Sequence, residues 1–355
     1  MNDEWISFLA TAGAVLDGRH VQHFGNAEQE RYAAANNTIL VPLTHLSLIR
    51  AQGEEAATFL NNQLSNDVRQ VDGTHSQLAA YCTAKGRMLA IFRIFRRDGH
   101  YLLQLPASLQ NSILERLRKY VLRAKVTLES ADQELRGIGF SGPDAPVILQ
   151  GVFRSLPDRD GACLTQDDVT VLRVSGMHPR FACMAPTPTA ITLWEKLSTK
   201  AVKAGPGSWA WLDIMAGLPT ILPETSEAFV PQMVNLELLG GVSFDKGCYP
   251  GQEIVARMHY LGKPKQRMVH AHVNGEAEPP QPGDAVYAPD LHGQATGHIV
   301  AAQPAPGGGY DLLAVIQTSW TADGRLHLLS ETGPRLEVQA LPYAVPASNS
   351  GQGVP

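Results

Sequence analysis

Residues 244–253 read FDKGCYPGQE and are the most informative ten residues of the chain. Pro250 suits the first position of a helix, because its missing N–H would have no intrahelical partner there. Apolar residues then recur at helical spacing until Gly262 and Pro264 end the pattern; they are Ile254, Val255, Met258 and Leu261. The pattern predicts a helix whose N-terminus lies directly beside Cys248.

Cys248 is therefore predicted to be an accessible, activated thiol. Exposed backbone N–H groups and the nearby Lys246 ammonium both favour a thiolate, and Gly247 and Gly251 carry no side chain that would block the sulfur. Glu253 is expected in the first turn, where its charge complements the helix dipole. The alternative is a buried structural cysteine, which is the commoner fate of a free thiol. Cys248 and Lys246 are the candidate catalytic residues.

The cysteine content indicates a reducing compartment rather than a disulfide or metal framework. Four cysteines are present and no two of them form a CxxC pair; they are Cys82, Cys163, Cys183 and Cys248. This spacing argues against a zinc or iron–sulfur knuckle. A single thiol cannot hold a cubane cluster, which takes about four thiolates. We predict no bound metal.

Composition and charge limit the classes of partner. The 355 residues are 44% hydrophobic and 18% charged, as in globular proteins generally, and the net charge is −5. A negative chain offers no whole-surface positive field, so no direct nucleic-acid contact is expected. Asp3 and Glu4 precede the first apolar run, which argues against a secretory signal. No apolar run reaches about 18 residues, so we expect a cytoplasmic protein without membrane contact.

The order of the predicted elements indicates an α+β protein built from several units. From residue 136 to 204 the order strand, helix, strand, strand, helix suits a ferredoxin-like unit. After Pro264, short alternating strands broken by Gly and Pro indicate a small β-barrel. The predicted units are an N-terminal helix and lead-in (1–37), a first domain (38–135 plus 205–262), the ferredoxin-like unit (136–204), the barrel (263–344) and a disordered tail (345–355).

Residues 246–253 resemble the KGCYxGQE signature of the YgfZ family, whose members are related to the glycine-cleavage T-protein. Other segments resemble further parts of the same family in the same order along the chain: FLNNQLSNDV (59–68), AYCTAKGRM (80–88), FVPQMVNL (229–236) and GGVSF (240–244). The resemblance spans residues 42–342. A signature with collinear segments around it is far more specific than a lone short motif.

The resemblance implies the three-domain, T-protein-like (aminomethyltransferase) fold, with a central opening that receives tetrahydrofolate. It implies an accessory role in the assembly, insertion or repair of iron–sulfur clusters in client enzymes, which supports tRNA modification indirectly. The implied partners are iron–sulfur client or assembly proteins, and we expect a monomer. The folate-contacting residues implied by the matching positions are Trp209, Gly247, Tyr249, Gly251, Gln252, Glu253 and Asp67.

Two departures from the T-protein bear on the main alternative, a tetrahydrofolate-dependent aminomethyltransferase-like one-carbon transferase. The T-protein's acidic pair after the first hairpin is matched here by Leu89 and Ala90, so the carboxylate expected to position a substrate amine is absent. Its pterin-binding Glu is matched by Met215, whose thioether cannot accept hydrogen bonds as a carboxylate does. A tRNA-binding module is a third alternative, which the net charge of −5 opposes.

Three of these positions allow two interpretations each. Trp209 either stacks on a pterin or belongs to the hydrophobic core. Asp67 either lies near the folate opening or is a polar residue that terminates a helix. Residues 85–87, KGR, either present cations to folate's glutamate tail or form a solvated turn before a strand.

Two further groups of polar residues lie on predicted strands. Arg93, Arg96 and Arg97 either form a small basic patch or merely discourage aggregation at a strand edge. His270 and His272 alternate on one strand and so share a face. Two histidines without a third ligand are weak evidence for a metal site.

Overall fold

The structure, a computed structural model, describes residues 3–262, 264–275, 278–289, 291, 293–320 and 324–346. Its helices are α1 (Asp3–Thr11), α2 (Ala27–Asn36), α3 (Ala56–Asn61), α4 (Ala107–Arg118), α5 (Ala145–Gln150), α6 (Thr187–Ser198), α7 (Pro206–Met215) and α8 (Gln252–Leu261). Within the described ranges, no helix is long and apolar enough to cross a bilayer. Most of the predicted disordered tail, from residue 347 onwards, lies outside the described residues.

Nineteen strands are present in the described ranges. Those of the first half are β1 (Val15–Asp17), β2 (His20–His23), β3 (Ile39–Pro42), β4 (Leu46–Gln52), β5 (Gln77–Cys82), β6 (Met88–Arg97), β7 (His100–Pro106), β8 (Thr127–Ser130), β9 (Leu135–Ser141) and β10 (Cys163–Gln166). Those of the second half are β11 (Val169–Val174), β12 (Arg180–Pro186), β13 (Val202–Lys203), β14 (Gln266–Val273), β15 (Ala285–Tyr287), β16 (Ala295–Pro304), β17 (Tyr310–Gln317), β18 (Leu326–Leu328) and β19 (Arg335–Gln339).

The strands form three main sheets. A five-stranded antiparallel sheet has the order β5-β6-β7-β4-β8, and a six-stranded sheet has the order β10-β11-β12-β9-β3-β13. The β3–β13 pair in the second sheet is parallel. Strands β14 to β19 close a barrel in the order β14-β17-β16-β15-β18-β19. The predicted α+β class and the closed C-terminal barrel are thus both present.

The five-stranded sheet is built around the hairpin of β6 and β7. Asp98 and Gly99 at its tip both have positive φ, 51° and 80°, as the favoured two-residue hairpin turn requires. Helix α4 covers the sheet with the apolar face that its periodicity predicts, which consists of Leu109, Ile113 and Leu117. Strand β6 runs between β5 and β7, so its inward-facing side chains reach the interior of the molecule.

Strand β3 lies in the sheet of the predicted ferredoxin-like unit, between β9 and β13. The boundary predicted at residue 38 therefore does not follow the sheets, because residues 39–42 were assigned to the first domain. The reason is that Ile39, Leu40 and Val41 are all fully buried, and a short strand buried on both faces belongs in the middle of a sheet. Strand β10, at the edge of this sheet, was not predicted.

Helix α7 connects the six-stranded sheet with the barrel. Its Trp211 Nε1 donates a hydrogen bond of 2.7 Å to Oδ2 of Asp311 on β17. The other oxygen of Asp311 lies 2.8 Å from Nδ1 of His272 on β14. Trp211 and Asp311 are both buried, so these contacts form a closed polar seam between the helix and the barrel.

Candidate functional site

The loop that carries Cys248 leads into helix α8. The helix begins at Gln252, two residues later than the start predicted at Pro250, and Gly251 precedes it with a φ of +83°. A left-handed residue before the first turn explains the later start, because Pro250 then belongs to the loop. Cys248 is exposed, as predicted, and lies in this loop rather than at the first turn.

Cys248 differs from the other three cysteines, which are all buried. Burial raises the pKa of the Cys82 and Cys183 thiols to about 12 and that of Cys163 to about 11. Those three side chains therefore stay protonated and shielded near neutral pH. Cys248 is the thiol that a partner molecule can reach.

Lys246 anchors the loop to residues 61–64, at the C-terminal end of helix α3. Its buried Nζ donates hydrogen bonds to the carbonyl oxygens of Asn61, at the end of α3, and of Leu64, the latter at 2.5 Å. The ammonium also lies 5.0 Å from the centre of the Tyr249 ring. In the described part of the chain no hydrogen bond joins Lys246 to Cys248. The structure therefore places Lys246 as an anchor of the loop, whereas the sequence suggested that it stabilises a thiolate.

The anchoring of Lys246 predicts a pH-dependent stability. Burial lowers the pKa of Lys246 from 10.5 to about 8, so between these values the unfolded chain binds more protons than the folded one. The free energy of unfolding is therefore expected to rise with pH across this window. Urea unfolding of the wild type and of Lys246→Met, from about pH 7 to about pH 10, measures it. The wild-type minus variant difference should grow towards the alkaline end; a flat difference would contradict the assignment.

Gly251 and Tyr249 fix the other side of the loop. A Cβ on Gly251 would lie 2.5 Å from the Thr83 oxygen and 2.6 Å from the Gly86 Cα, so only glycine fits against this turn. Tyr249 is buried, and burial raises the pKa of its hydroxyl, with Cys82 contributing in the same direction. A Cβ on Gly247 would have nothing within 4 Å, so the loop is open on the side next to Cys248.

The remaining predicted residues of the signature lie on α8. Gln252 is half-buried at the first helical position. Glu253 is exposed and forms an i,i+4 ion pair of 3.0 Å with Arg257, which is also exposed. Neither side chain lines the cavity described below. Phe244, which precedes the helix, stacks on His259 of α8 with ring centroids 3.7 Å apart.

A separate cavity opens between the five-stranded sheet, the six-stranded sheet and α7. Its volume is about 80 Å³, and its mouth is open to solvent. Its lining residues are Leu43, Leu46, Leu78, Ile91, Arg93, Gln104, Leu105, Pro106, Val174, Ala182, Trp209, Asp213, Leu218, Pro219 and Thr220. No residue of 244–253 lines this cavity, so the exposed thiol and the cavity are two distinct places on the molecule.

Trp209 lines this cavity and is also a core residue. Its side chain is 3% exposed, and the Arg180 guanidinium lies 3.8 Å from the ring centroid. A Cβ on Gly139 would overlap the ring, so the indole is held tightly against β9. The face covered by Arg180 is therefore closed to a ligand.

The cavity contains a carboxylate that the sequence analysis did not consider, and a guanidinium that it considered only for a basic patch on the hairpin. Asp213 on α7 forms an ion pair of 2.8 Å with Arg180, whose side chain is fully buried. Arg93 on β6 has no ion pair or hydrogen bond among the described residues, and burial lowers its pKa, with Asp213 acting in the opposite direction. Both had a signal in the sequence, since Asp213 is the one acid of α7 and Arg93 interrupts an apolar strand.

Several other predicted residues have structural partners outside the cavity. Asp67 is the N-cap of the 3₁₀ helix Val68–Gln70 and pairs with Arg69 at 2.7 Å, which lowers the pKa of Asp67. Its role is local, but it begins a helix, whereas the local alternative had it terminate one. Arg87 donates to the Ala228 carbonyl oxygen. Leu89 and Ala90 are buried in β6.

Arg97 and the two barrel histidines likewise have local roles. Arg97 donates to the carbonyl oxygens of Asp168 and Met184 at 2.9 and 3.2 Å, so it is not part of a free basic patch. His272 belongs to the polar seam, whereas His270 is buried. The described residues contain no group of three or more His, Cys, Asp or Glu that suits a metal ion.

Comparisons with known proteins identify the family and the fold of the chain. The GCVT N-terminal domain family matches residues 10–182. The chain is 34% identical over 314 residues to the tRNA-modifying protein YgfZ of Colwellia psychrerythraea, covering 87% of this chain and 94% of that protein. It is 33% identical to the YgfZ protein of Sodalis glossinidius, covering 86% and 93%. The crystal structure of aminomethyltransferase T from Bartonella henselae shares the fold, with a TM-score of 0.80, 18% identity and coverage of 96% and 97%. The chain therefore belongs to the YgfZ family and has the fold of the glycine-cleavage T-protein.

Proposed function

We propose that this chain is a tetrahydrofolate-binding accessory protein for the assembly, insertion or repair of iron–sulfur clusters in client enzymes, and that it supports tRNA modification indirectly. The observation that carries the proposal is the exposed Cys248, on a loop anchored through Lys246 and Gly251. A thiol presented on a fixed mount can meet a cluster on a partner protein, whereas a buried thiol cannot. The name of the relatives, tRNA-modifying protein, fits client enzymes that act on tRNA.

The chemistry open to Cys248 is limited because the other three cysteines are buried. A [4Fe–4S] cluster takes about four thiolates, so one cysteine serves as a transient, shared ligand while the client supplies the others. The buried cysteines do not contribute, since burial raises the pKa of all three thiols. The proposed partners are therefore iron–sulfur client or assembly proteins, met in the cytoplasm by a monomer of this chain.

The cavity between the two sheets and α7 is the place proposed for tetrahydrofolate. Leu78 and Ile91 supply apolar walls, and Trp209 supplies an aromatic one. Arg93 and Asp213 supply charged groups that can donate to and accept from a polar ring system. Bound tetrahydrofolate would supply a reduced pterin that can accept a one-carbon unit, while the chain's own residues orient it and exclude water.

A titration with tetrahydrofolate tests the ligand part of the proposal. We expect saturable quenching of tryptophan fluorescence, because Trp209 lines the cavity. The quenching should be lost in Trp209→Phe, which keeps an aromatic wall, and should persist in Trp194→Phe. Trp194 is a matched control, because it is equally buried but lies in the core beside α1. Calorimetry should still detect binding to Trp209→Phe. An absence of both heat and quenching in the wild type would defeat the proposal.

A further inference from the structure

We propose that the turn after α4 is a docking surface for an acidic face, apolar at its centre, of an iron–sulfur client protein. This inference rests on the proposed function and specifies where the client is met and by what chemistry. The surface, which we call the basic–apolar patch, consists of Arg116, Lys119, Tyr120, Leu122 and Arg123. It lies outside the cavity and outside the loop that carries the exposed thiol.

The patch belongs to a strongly basic stretch of an otherwise acidic chain. Residues 115–125 contain five Lys or Arg side chains and one acid, whereas the net charge of the chain is −5. Two of the five cations, Arg118 and Lys125, have partners within the fold. Lys119 and Arg123 are exposed, and neither has an ion pair among the described residues. These two cations can meet carboxylates of a partner, so the patch is complementary to an acidic surface.

The fold does not explain the leucine at the tip of the patch. Leu122 is 88% exposed, so its side chain adds little to the core. Its φ of 46° lies in the left-handed region, which Gly or Asn adopts more readily than a bulky side chain. Tyr120, two residues earlier, is 49% exposed. Two large apolar side chains among cations suit a protein interface, which is apolar at its centre and polar at its rim.

The patch is held by an ordered turn. Val121 and Val126, on either side of Leu122, pack against the core cluster that includes the apolar face of α4. A Cβ on Gly53 would lie 2.1 Å from the Lys125 carbonyl oxygen, so the turn at residue 53 packs closely against this segment. Because the apolar tip is already fixed in place, binding a partner costs this chain little conformational entropy.

The short helix α3 connects the patch segment with the Cys248 loop. Before the helix begins, the Glu55 carboxylate accepts a hydrogen bond of 2.7 Å from the backbone N–H of Lys125. At its other end, the Asn61 carbonyl oxygen accepts from Lys246. A helix of six residues is about 9 Å long. A protein partner covers about 800 Å² of each surface, roughly 30 Å across, so one client is large enough to contact both the patch and Cys248.

A second chain of contacts joins the same two places. The Tyr81 hydroxyl interacts with Arg116 and with Tyr120 of the patch. Tyr81 also forms a β-bridge with Leu64. The Leu64 carbonyl oxygen accepts a hydrogen bond of 2.5 Å from Lys246, two residues before the thiol. The patch and the thiol are therefore fixed relative to one another.

A protein fits the patch better than a nucleic acid or a membrane does. Phosphates are recognised by Arg, Lys and other donors, and the leucine offers them no hydrogen bond. The net charge of −5 opposes a polyanion at long range. Stable binding to an anionic bilayer takes a long apolar helix face or a lipid chain in addition to basic residues, and two apolar side chains do not provide one.

Leu122→Asn is the first test, because Asn tolerates the left-handed backbone and removes the apolar tip. The probe is a purified [4Fe–4S] enzyme, with its cluster, whose activity falls in a bacterial strain that lacks its own YgfZ protein. We expect this enzyme to bind the variant about 10-fold more weakly than wild type, with an unchanged or higher melting temperature. Val147→Asn is the control, since Val147 is 72% exposed on α5, and it should keep the wild-type affinity. A structural role for Leu122 predicts a lower melting temperature and unchanged affinity.

Charge reversal of Lys119→Glu and Arg123→Glu in one protein tests the electrostatic part. We expect affinity for the same enzyme to fall about 100-fold, and the salt dependence of the association rate to be largely lost. Lys196→Glu combined with Lys200→Glu is the matched control, because these exposed lysines have the same four-residue spacing and give the same change in net charge. That control should bind as wild type does.

The outcomes separate this inference from the proposed function and from other occupants. Equal affinity of the enzyme for wild type and for the patch variants overturns the docking surface, as does a wild type that does not bind the enzyme. The proposed function still stands in either case if Cys248→Ala fails to rescue the strain. Gel shifts with total tRNA and sedimentation with phosphatidylglycerol vesicles complete the test. Binding of either one that the charge reversal abolishes, with enzyme affinity unchanged, would assign the patch to that ligand and overturn the inference.

Discussion

Cys248→Ala is expected to abolish the protein's ability to replace a missing relative in a bacterial deletion strain, while changing the free energy of unfolding by no more than about 0.5 kcal/mol. The side chain is exposed and makes no hydrogen bond in the described structure, so its removal costs the fold little. The sulfur is the atom that we propose meets the client's cluster, and alanine has nothing to replace it. The readouts are activity of iron–sulfur enzymes in the strain and urea unfolding of the purified variant.

Cys163→Ala is the control for this experiment. Cys163 is buried and its Sγ lies 3.3 Å from the Gly73 carbonyl oxygen, so the variant should lose some stability and still rescue the strain. In the native wild type a thiol reagent should modify Cys248 rapidly and the other three cysteines only after denaturation. Full rescue by Cys248→Ala would remove the basis for assigning this cysteine a function.

Gly251→Ala is expected to destabilise the protein by about 3 kcal/mol or more, from backbone strain and steric overlap together. The residue has a φ of +83°, which L side chains rarely adopt. Its added Cβ would also lie 2.5 Å from the Thr83 oxygen, an atom of backbone that cannot swing aside. Because the loop and the turn must separate, the reactivity of Cys248 should change as well.

Gly247→Ala is the matched control, four residues earlier in the same loop. Nothing lies within 4 Å of its added Cβ, and its φ is outside the left-handed region, so the change in unfolding free energy should stay within about 0.5 kcal/mol. Urea unfolding of both variants gives the comparison. Similar values for the two glycines would show that the loop does not pack against residues 83–86 as described.

The residues of each short segment were sufficient to predict the exposed loop at Cys248 and the C-terminal barrel. The Asp-Gly turn at residues 98–99, the apolar face of α4 and the alternating strands after Pro264 are all encoded within a few neighbouring residues. The exposure of Cys248 was predicted from Gly247 and Gly251, which carry no side chain that would block the sulfur. The helix start was two residues off, because the backbone conformation of Gly251 depends on packing against a distant hairpin.

The rest of the site depends on contacts between segments far apart in the chain. Lys246 bonds to carbonyl oxygens more than 180 residues away, which no spacing within its own segment indicates. Arg93 and Asp213 line one cavity only because two sheets and α7 enclose it. Strand β3 joined the second sheet because all of its side chains are buried, a property that a sequence window does not reveal.

The hydrogen bond from Trp211 to Asp311 limits which truncated forms of the chain can fold. The helix that carries Trp209 and Asp213 is also the helix whose indole N–H is satisfied by the barrel. A fragment that ends before the barrel would leave that donor unmatched and expose the apolar surface around it to water. The part of the molecule that contains the cavity is therefore not an autonomous module, and natural or engineered truncations should remove both parts or neither.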